Sequence, residues 1–301
     1  MTAAPAARAR RAEALAACLP PLLVAAERVA ATVAQGVHGR RKVGQGESFW
    51  QFRPFQHGDS VARIDWRQSA KSARIFVRES EWEAAQTVLL WRDASPSMAW
   101  RPEPGQESKQ ARAELLLLAL AALVLRGGER VRLLGAAPHP ASGRVALEAL
   151  AETLAAAPPT AALPEPAGLP RHARLVAFGD FLAPPEETAA AIAALAAAPV
   201  AGQIVMVLDP AERAFPYQGR LRFAGPEGEG ETLIARAEAV RGAYAERLAA
   251  QIGAVEQAAR AVGWGFALHD RGQPPEAALL ALYMGLDRGL DRGRVAGPAR
   301  R

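Results

Sequence analysis

The sequence predicts an α/β protein on a doubly wound, mostly parallel sheet, and three observations carry that prediction. From residue 87 onward, short β-prone runs alternate with long helical segments. Two of the runs, 175–178 and 204–208, are apolar without alternation, the pattern of strands covered on both faces. The helical segments stop at helix breakers: Gly127-Gly128 ends the first and Pro158-Pro159 the second.

In chain order, 87–91 is the first strand and 110–126 a long helix; 130–134 is the second strand and 145–156 its helix. Residues 174–178 form the third strand, and the helix 185–198 opens on Glu186-Glu187, where acidic side chains suit the helix dipole. After the fourth strand, 203–208, the alternation pauses. Residues 219–223 and 232–234, joined by the Gly/Glu-rich 225–231, read as an inserted β-hairpin within 216–234. A helix over 235–262 ends at Gly263, and a strand (264–269) and a helix (274–285) complete the domain, which spans 87–285. The tail 286–301 has no apolar period and is expected to be disordered.

The region before residue 87 is different in kind. Residues 1–35 read as an alanine-rich helical segment and 36–86 as a small β-layer. Aromatics make up 6% of the 301 residues, yet nine of them crowd between Phe49 and Trp100, interleaved with arginines and acids. That crowding fits a packed layer or an arginine/aromatic contact surface.

Composition excludes several classes. Cys18 is the single cysteine, so neither an intrachain disulfide nor a cysteine zinc site can form. Thirty-six basic against 31 acidic residues give a net charge of +5, mild for this length, and the basic clusters at 8–11, 40–42 and after Asp287 are short. Nucleic-acid binding, which concentrates positive charge on one face, is therefore disfavoured. Arg10-Arg11 and the 15–18 box look like export signals, but Glu13 and Pro20-Pro21 interrupt any apolar core. The apolar stretch 115–125 falls short of the roughly 20 residues a membrane span needs. A cytoplasmic protein without a membrane span is the expectation.

The chemistry-bearing motif is Asp93-Ala94-Ser95-Pro96-Ser97-Met98, directly after the first strand. It puts a carboxylate and two hydroxyls on one turn at the strand end where open α/β sheets bind ligands. The third strand ends in Gly179-Asp180, which brings a second carboxylate to the same rim. A hard cation such as Mg2+ takes oxygen ligands of this kind, and with few carboxylates it keeps an appetite for an acidic side chain from outside. The competing reading is that Ser95 and Ser97 cap the following helix. A metal-dependent hydrolase on the same rim is an alternative, but none of the five histidines sits in a nucleophile motif.

These residues carry a resemblance. Asp93 to Met98 resembles the metal-ion-dependent adhesion site of von Willebrand factor A domains. Gly39-Arg40-Arg41, Gly44-Gln45-Gly46-Glu47, Arg53-Pro54-Phe55, Gly58-Asp59, Arg63-Ile64-Asp65-Trp66 and Val77-Arg78-Glu79 resemble the DUF58 signature. So do 208–212, Phe215-Pro216, Gly225-Pro226-Glu227-Gly228 and Gly263-Trp264. The resemblance covers roughly 36–285. It implies a von Willebrand A/Rossmann-like domain that acts as a non-enzymatic partner or adaptor of a MoxR-type AAA+ ATPase. It implies Asp93, Ser95 and Ser97 as the first metal loop and Asp180 as the third, with Mg2+ as the cofactor. Thr160 is the one candidate for the second loop, and the Pro-rich 163–170 stands where a helix is expected.

Overall fold

The computed structural model describes residues 30, 33–34, 49–56, 64–72, 74–80, 86–103, 105–136, 139–156 and 162–295. The chain forms two compact units, one of residues 38–85 and one of residues 1–37 with 86–301.

In the smaller unit, β1 (Phe49–Pro54) pairs antiparallel with β2 (Phe76–Ser80), with Phe52 opposite Arg78 and Pro54 opposite Phe76. The short helix α1 (Trp66–Ser69) lies between them in sequence. Asp65 caps it, its Oδ1 accepting from the Gln68 amide at 2.8 Å. Ser69 ties the helix to the ribbon: its hydroxyl donates to the Asp65 carbonyl at 2.7 Å and accepts from the Phe76 amide at 2.9 Å.

The larger unit holds β3 (Thr87–Arg92), α2 (Lys109–Arg126), β4 (Arg130–Leu133), α3 (Gly143–Ala156), β5 (Arg174–Gly179), α4 (Pro185–Ala196) and β6 (Ala201–Leu208). There follow α5 (Pro210–Ala214), the hairpin β7 (Leu221–Ala224) and β8 (Glu231–Ile234), α6 (Ala237–Ala261), β9 (Gly265–Asp270) and α7 (Pro275–Val295). Five strands form a wholly parallel sheet in the order β4-β3-β5-β6-β9.

Successive strand residues supply opposite cores, which is why the runs are continuously apolar. Leu90, Val176 and Val205 pack with α2, α3 and α7, whereas Leu89, Leu175 and Ile204 pack with α4 and α6. Every residue of α2 from Leu115 to Val124 is buried, so a helix apolar all round forms the centre of one layer. Ala30 and Val33, the described core residues of the N-terminal segment, join that layer. Among the described residues no helix is long and apolar enough to cross a membrane.

One expectation is corrected. The last helix does not stop at 285: α7 runs on to Val295, and the rest of the expected tail, 296–301, lies outside the described residues. Leu279, Leu282 and Leu286 are buried at helical spacing and fix the first three turns. Extending a helix that is already nucleated costs little, even without an apolar stripe.

From β3 the chain moves to β4 on one side, then crosses back to β5 on the other. The carboxyl ends of β3 and β5 therefore flank the switch point of the sheet, where ligands bind in open α/β folds.

Candidate metal centre at the switch point

Asp93 follows β3 and Asp180 follows β5, so the topology places both on the switch-point rim. The Asp93 amide donates to the Phe178 carbonyl at 2.8 Å, which locks the two loops together. Their approach leaves no room for a side chain at Gly179, where a Cβ would lie 2.9 Å from that of Asp93. The next residue but one, Phe181, sits at φ 47°, a left-handed conformation costly for a bulky residue. Gln251 on α6 holds this turn, donating through Nε2 to the carbonyls of Phe181 at 2.7 Å and Ala183 at 2.8 Å.

The first loop is a 3-10 turn, Pro96–Ala99, whose N-cap residue Ser95 makes no capping bond with its side chain. Helix α2 is capped instead by Ser108, whose hydroxyl accepts from the Ala111 amide at 3.1 Å. The two motif hydroxyls are thus free of capping duty and face the rim. Ser95 Oγ and Ser97 Oγ are 3.0 Å apart, and Ser97 Oγ donates to Asp180 Oδ2 at 2.8 Å. Asp93 Oδ1 accepts from the Ser95 amide at 2.8 Å, while its buried Oδ2 has no hydrogen-bond partner among the described residues. Burial, and then the nearby charge of Asp180, push the Asp93 carboxyl up to about 7. Four of the five predicted site residues therefore converge; Thr160 lies outside the described residues.

Sequence reasoning missed the rim's built-in cation. Lys109, the first residue of α2, is fully buried, with Nζ 2.8 Å from Asp180 Oδ2 and 2.6 Å from Glu212 Oε1. Burial alone would favour the neutral amine, but Asp180 and Glu212 hold the ammonium above its ordinary range. Glu212 is itself raised, because burial outweighs the attraction of an ammonium shared between two carboxylates. Glu212 also closes the capping box of α5 through its other oxygen, which accepts from the Asp209 amide at 2.8 Å. A signal existed for both residues: a lysine in the opening turn of a helix whose later turns, 115–125, are wholly apolar, and the spacing Asp209-x-x-Glu212.

The donor set fits a hard divalent cation. It offers a carboxylate oxygen with no partner, two hydroxyls and a second carboxylate, all oxygen. Lys109 offsets part of the negative charge around them. Among the described residues there is no cluster of three His, Cys, Asp or Glu side chains that could hold a metal, so the hydroxyls are essential to any such site.

Beside the rim opens a cleft of about 820 Å³ between α5, α6 and the hairpin, with Asp180, Glu212, Glu227 and Glu229 among its lining residues. Its apolar wall is an aromatic knot. Phe215 lies 4.7 Å from Tyr244, 5.2 Å from Tyr217 and 5.8 Å from Phe223, measured between ring centroids. Phe215 is left-handed at φ 44°, and Arg241 fixes the turn by donating to the carbonyls of Phe215 at 3.0 Å and Tyr217 at 3.1 Å.

Fold and rim together define an α/β protein with an oxygen-rich site at the switch point of a parallel sheet. Within that class the chain belongs to the DUF58 family, described as "Protein of unknown function DUF58", whose pattern matches residues 51–253. No curated protein matches the chain. Among solved structures, it is similar to the conserved hypothetical protein BatB from Bacteroides thetaiotaomicron, at 15% identity and a TM-score of 0.39, over 69% of this chain and 100% of that one. An aerotolerance-related membrane protein from Bacteroides fragilis, carrying multiple mutations to serines, gives 15% identity and a TM-score of 0.39, over 68% of this chain and 100% of that one. A D319A mutant of the PilB minor pilin from Streptococcus sanguinis gives 14% identity and a TM-score of 0.34, over 75% of this chain and 67% of that one.

Proposed function

We propose that the chain is a non-enzymatic protein-binding module of von Willebrand A type, whose rim presents a divalent cation to an acidic side chain of a partner. Asp93, Ser95, Ser97 and Asp180 would hold the ion, with Mg2+ the first choice for an all-oxygen set. The observation that carries this reading is Asp93 Oδ2, a buried carboxylate oxygen without a partner among the described residues, beside two hydroxyls that cap no helix. An unmet buried acceptor of this kind costs stability unless something binds it. By resemblance, the partner is a MoxR-type AAA+ ATPase, and the compartment the cytoplasm.

The test is binding of the purified chain to that ATPase, with Mg2+ and with EDTA. Mg2+ is expected to tighten the complex about tenfold or more, and Asp93→Ala to erase the gain; a tenfold change corresponds to about 1.4 kcal/mol. Affinity that is the same in EDTA and in Mg2+ overturns the metal-dependent part of the reading.

A further inference from the structure

The hairpin β7–β8 reaches the first rim loop. The Ser97 amide, in the opening turn of the 3-10 segment, has no partner within that turn and donates instead to Glu227 Oε1 at 3.0 Å, across 130 residues of chain. Glu227 is thus a carboxylate set directly on the loop that carries both motif hydroxyls. The hairpin is built to deliver it. Its strands pair from Leu221 opposite Ile234 to Ala224 opposite Glu231, and the Gly225 amide donates to the Gly230 carbonyl at 2.8 Å to close the tip. Gly228 and Gly230 both adopt φ 92°, open to glycine and strained for other residues. Inside the tip the Glu227 amide donates to Glu229 Oε2 at 2.9 Å. The base of the hairpin is pinned by Phe223 in the aromatic knot.

We propose that Glu227 is an internal occupant of the first rim loop: its carboxylate holds in cis the Ser97 amide that the second oxygen of a partner's acidic side chain takes in trans, so a partner binds by exchange with the hairpin tip. This inference rests on the reading of the rim as a carboxylate-gripping face, and it names how that face is regulated. A tethered competitor acts at high effective concentration and lowers the apparent affinity of any partner by the fraction of time the seat is filled. Glu227 is exposed and its grip on the loop is a single amide hydrogen bond, so the exchange needs no unfolding.

The test follows the Ser97 amide by NMR in EDTA, with acetate as the probe carboxylate. Glu227→Ala is expected to shift the Ser97 resonance and to speed its hydrogen exchange about tenfold, while hairpin resonances from Leu221 to Ile234 report that the hairpin persists. Acetate is expected to return the Ser97 resonance toward its wild-type position in the variant and to leave the wild type unmoved over the same range. Glu227→Gln, which keeps an uncharged acceptor, should fall between the two. A Ser97 resonance indifferent to Glu227→Ala, or one that acetate moves equally in both proteins, overturns the proposal. Because no metal enters this measurement, acetate exchange without any Mg2+ effect on partner binding would remove the metal-dependent grip and keep the cis occupant. The converse result would do the reverse.

Discussion

The loop after β3 and the loop after β5 each open on an aspartate, and both side chains are withdrawn from water. Asp93 is 0% exposed and Asp180 is 1% exposed. Their partners differ. Asp180 meets an ammonium, a hydroxyl and, at 3.3 Å, the Leu182 amide. Asp93 keeps one oxygen unmatched. The difference teaches how one rim can carry two unlike carboxylates: Asp180 is satisfied internally and fixes the geometry, and Asp93 is left with an oxygen unmatched among the described residues.

The largest expected effect comes from removing what satisfies the first. Lys109→Met leaves Asp180 and Glu212 buried without their cation, and breaking a buried pair in this way costs about 3–5 kcal/mol. Urea unfolding would register the loss, and an unchanged midpoint would show that the two aspartates are not distinguished by Lys109 at all.

Relief of the deficit should act in the opposite direction. Asp93→Asn keeps an acceptor for the Ser95 amide and removes a charge that burial disfavours, so in EDTA it is expected to gain about 1–3 kcal/mol. An acid whose folded value is raised loses stability as pH climbs through that value, so the gain should be larger above about pH 7 than below it. The same substitution should abolish any rise of Tm with Mg2+, because a ligand stabilises only the state that binds it. A variant that is less stable than wild type in EDTA would cancel the contrast between the loops.

The smallest effect sharpens the comparison from outside the rim. Burial, and then Arg112, push His269 down to about 4, and its Nε2 lies 3.3 Å from Arg112 Nη1. A base depressed from 6.5 loses stability as pH falls from about 6.5 toward about 4, opposite in sense to Asp93. In a Tm–pH profile, His269→Gln should therefore remove the loss of stability below about pH 6.5 and leave the opposite trend of Asp93 uncovered over the same range. An identical acid limb would remove His269 from the account.

What could be read from the sequence follows from how local each signal is. The strands were legible because coverage on both faces turns them into short apolar runs, and Asp93, Ser95, Ser97 and Asp180 because they end two of those runs. The capping alternative for the serines was open in the sequence and is answered by Ser108, which takes the cap of α2. Lys109, Glu212 and Glu227 come from a helix start, a five-residue helix and a hairpin tip, and they reach the rim only through tertiary structure. Glu212 and Glu227 do fall in segments whose family resemblance was visible, but resemblance gives no contacts. The helical run past Leu286 was misread because its charged residues carry no apolar period, although the buried turns before it already set the helix direction.

The left-handed turn at Phe181 has a consequence in time. The groups that hold it arrive late: the carbonyls of Phe181 and Ala183 wait for Gln251, more than half the chain after Asp93. During synthesis the Asp93 loop is made early, yet the turn that follows Asp180 lacks these two bonds until α6 has docked on the sheet. Contacts between residues so distant in sequence form slowly. The rim is therefore a property of the finished chain, and a ribosome-bound fragment that ends before α6 would carry the whole Asp93 motif without a site.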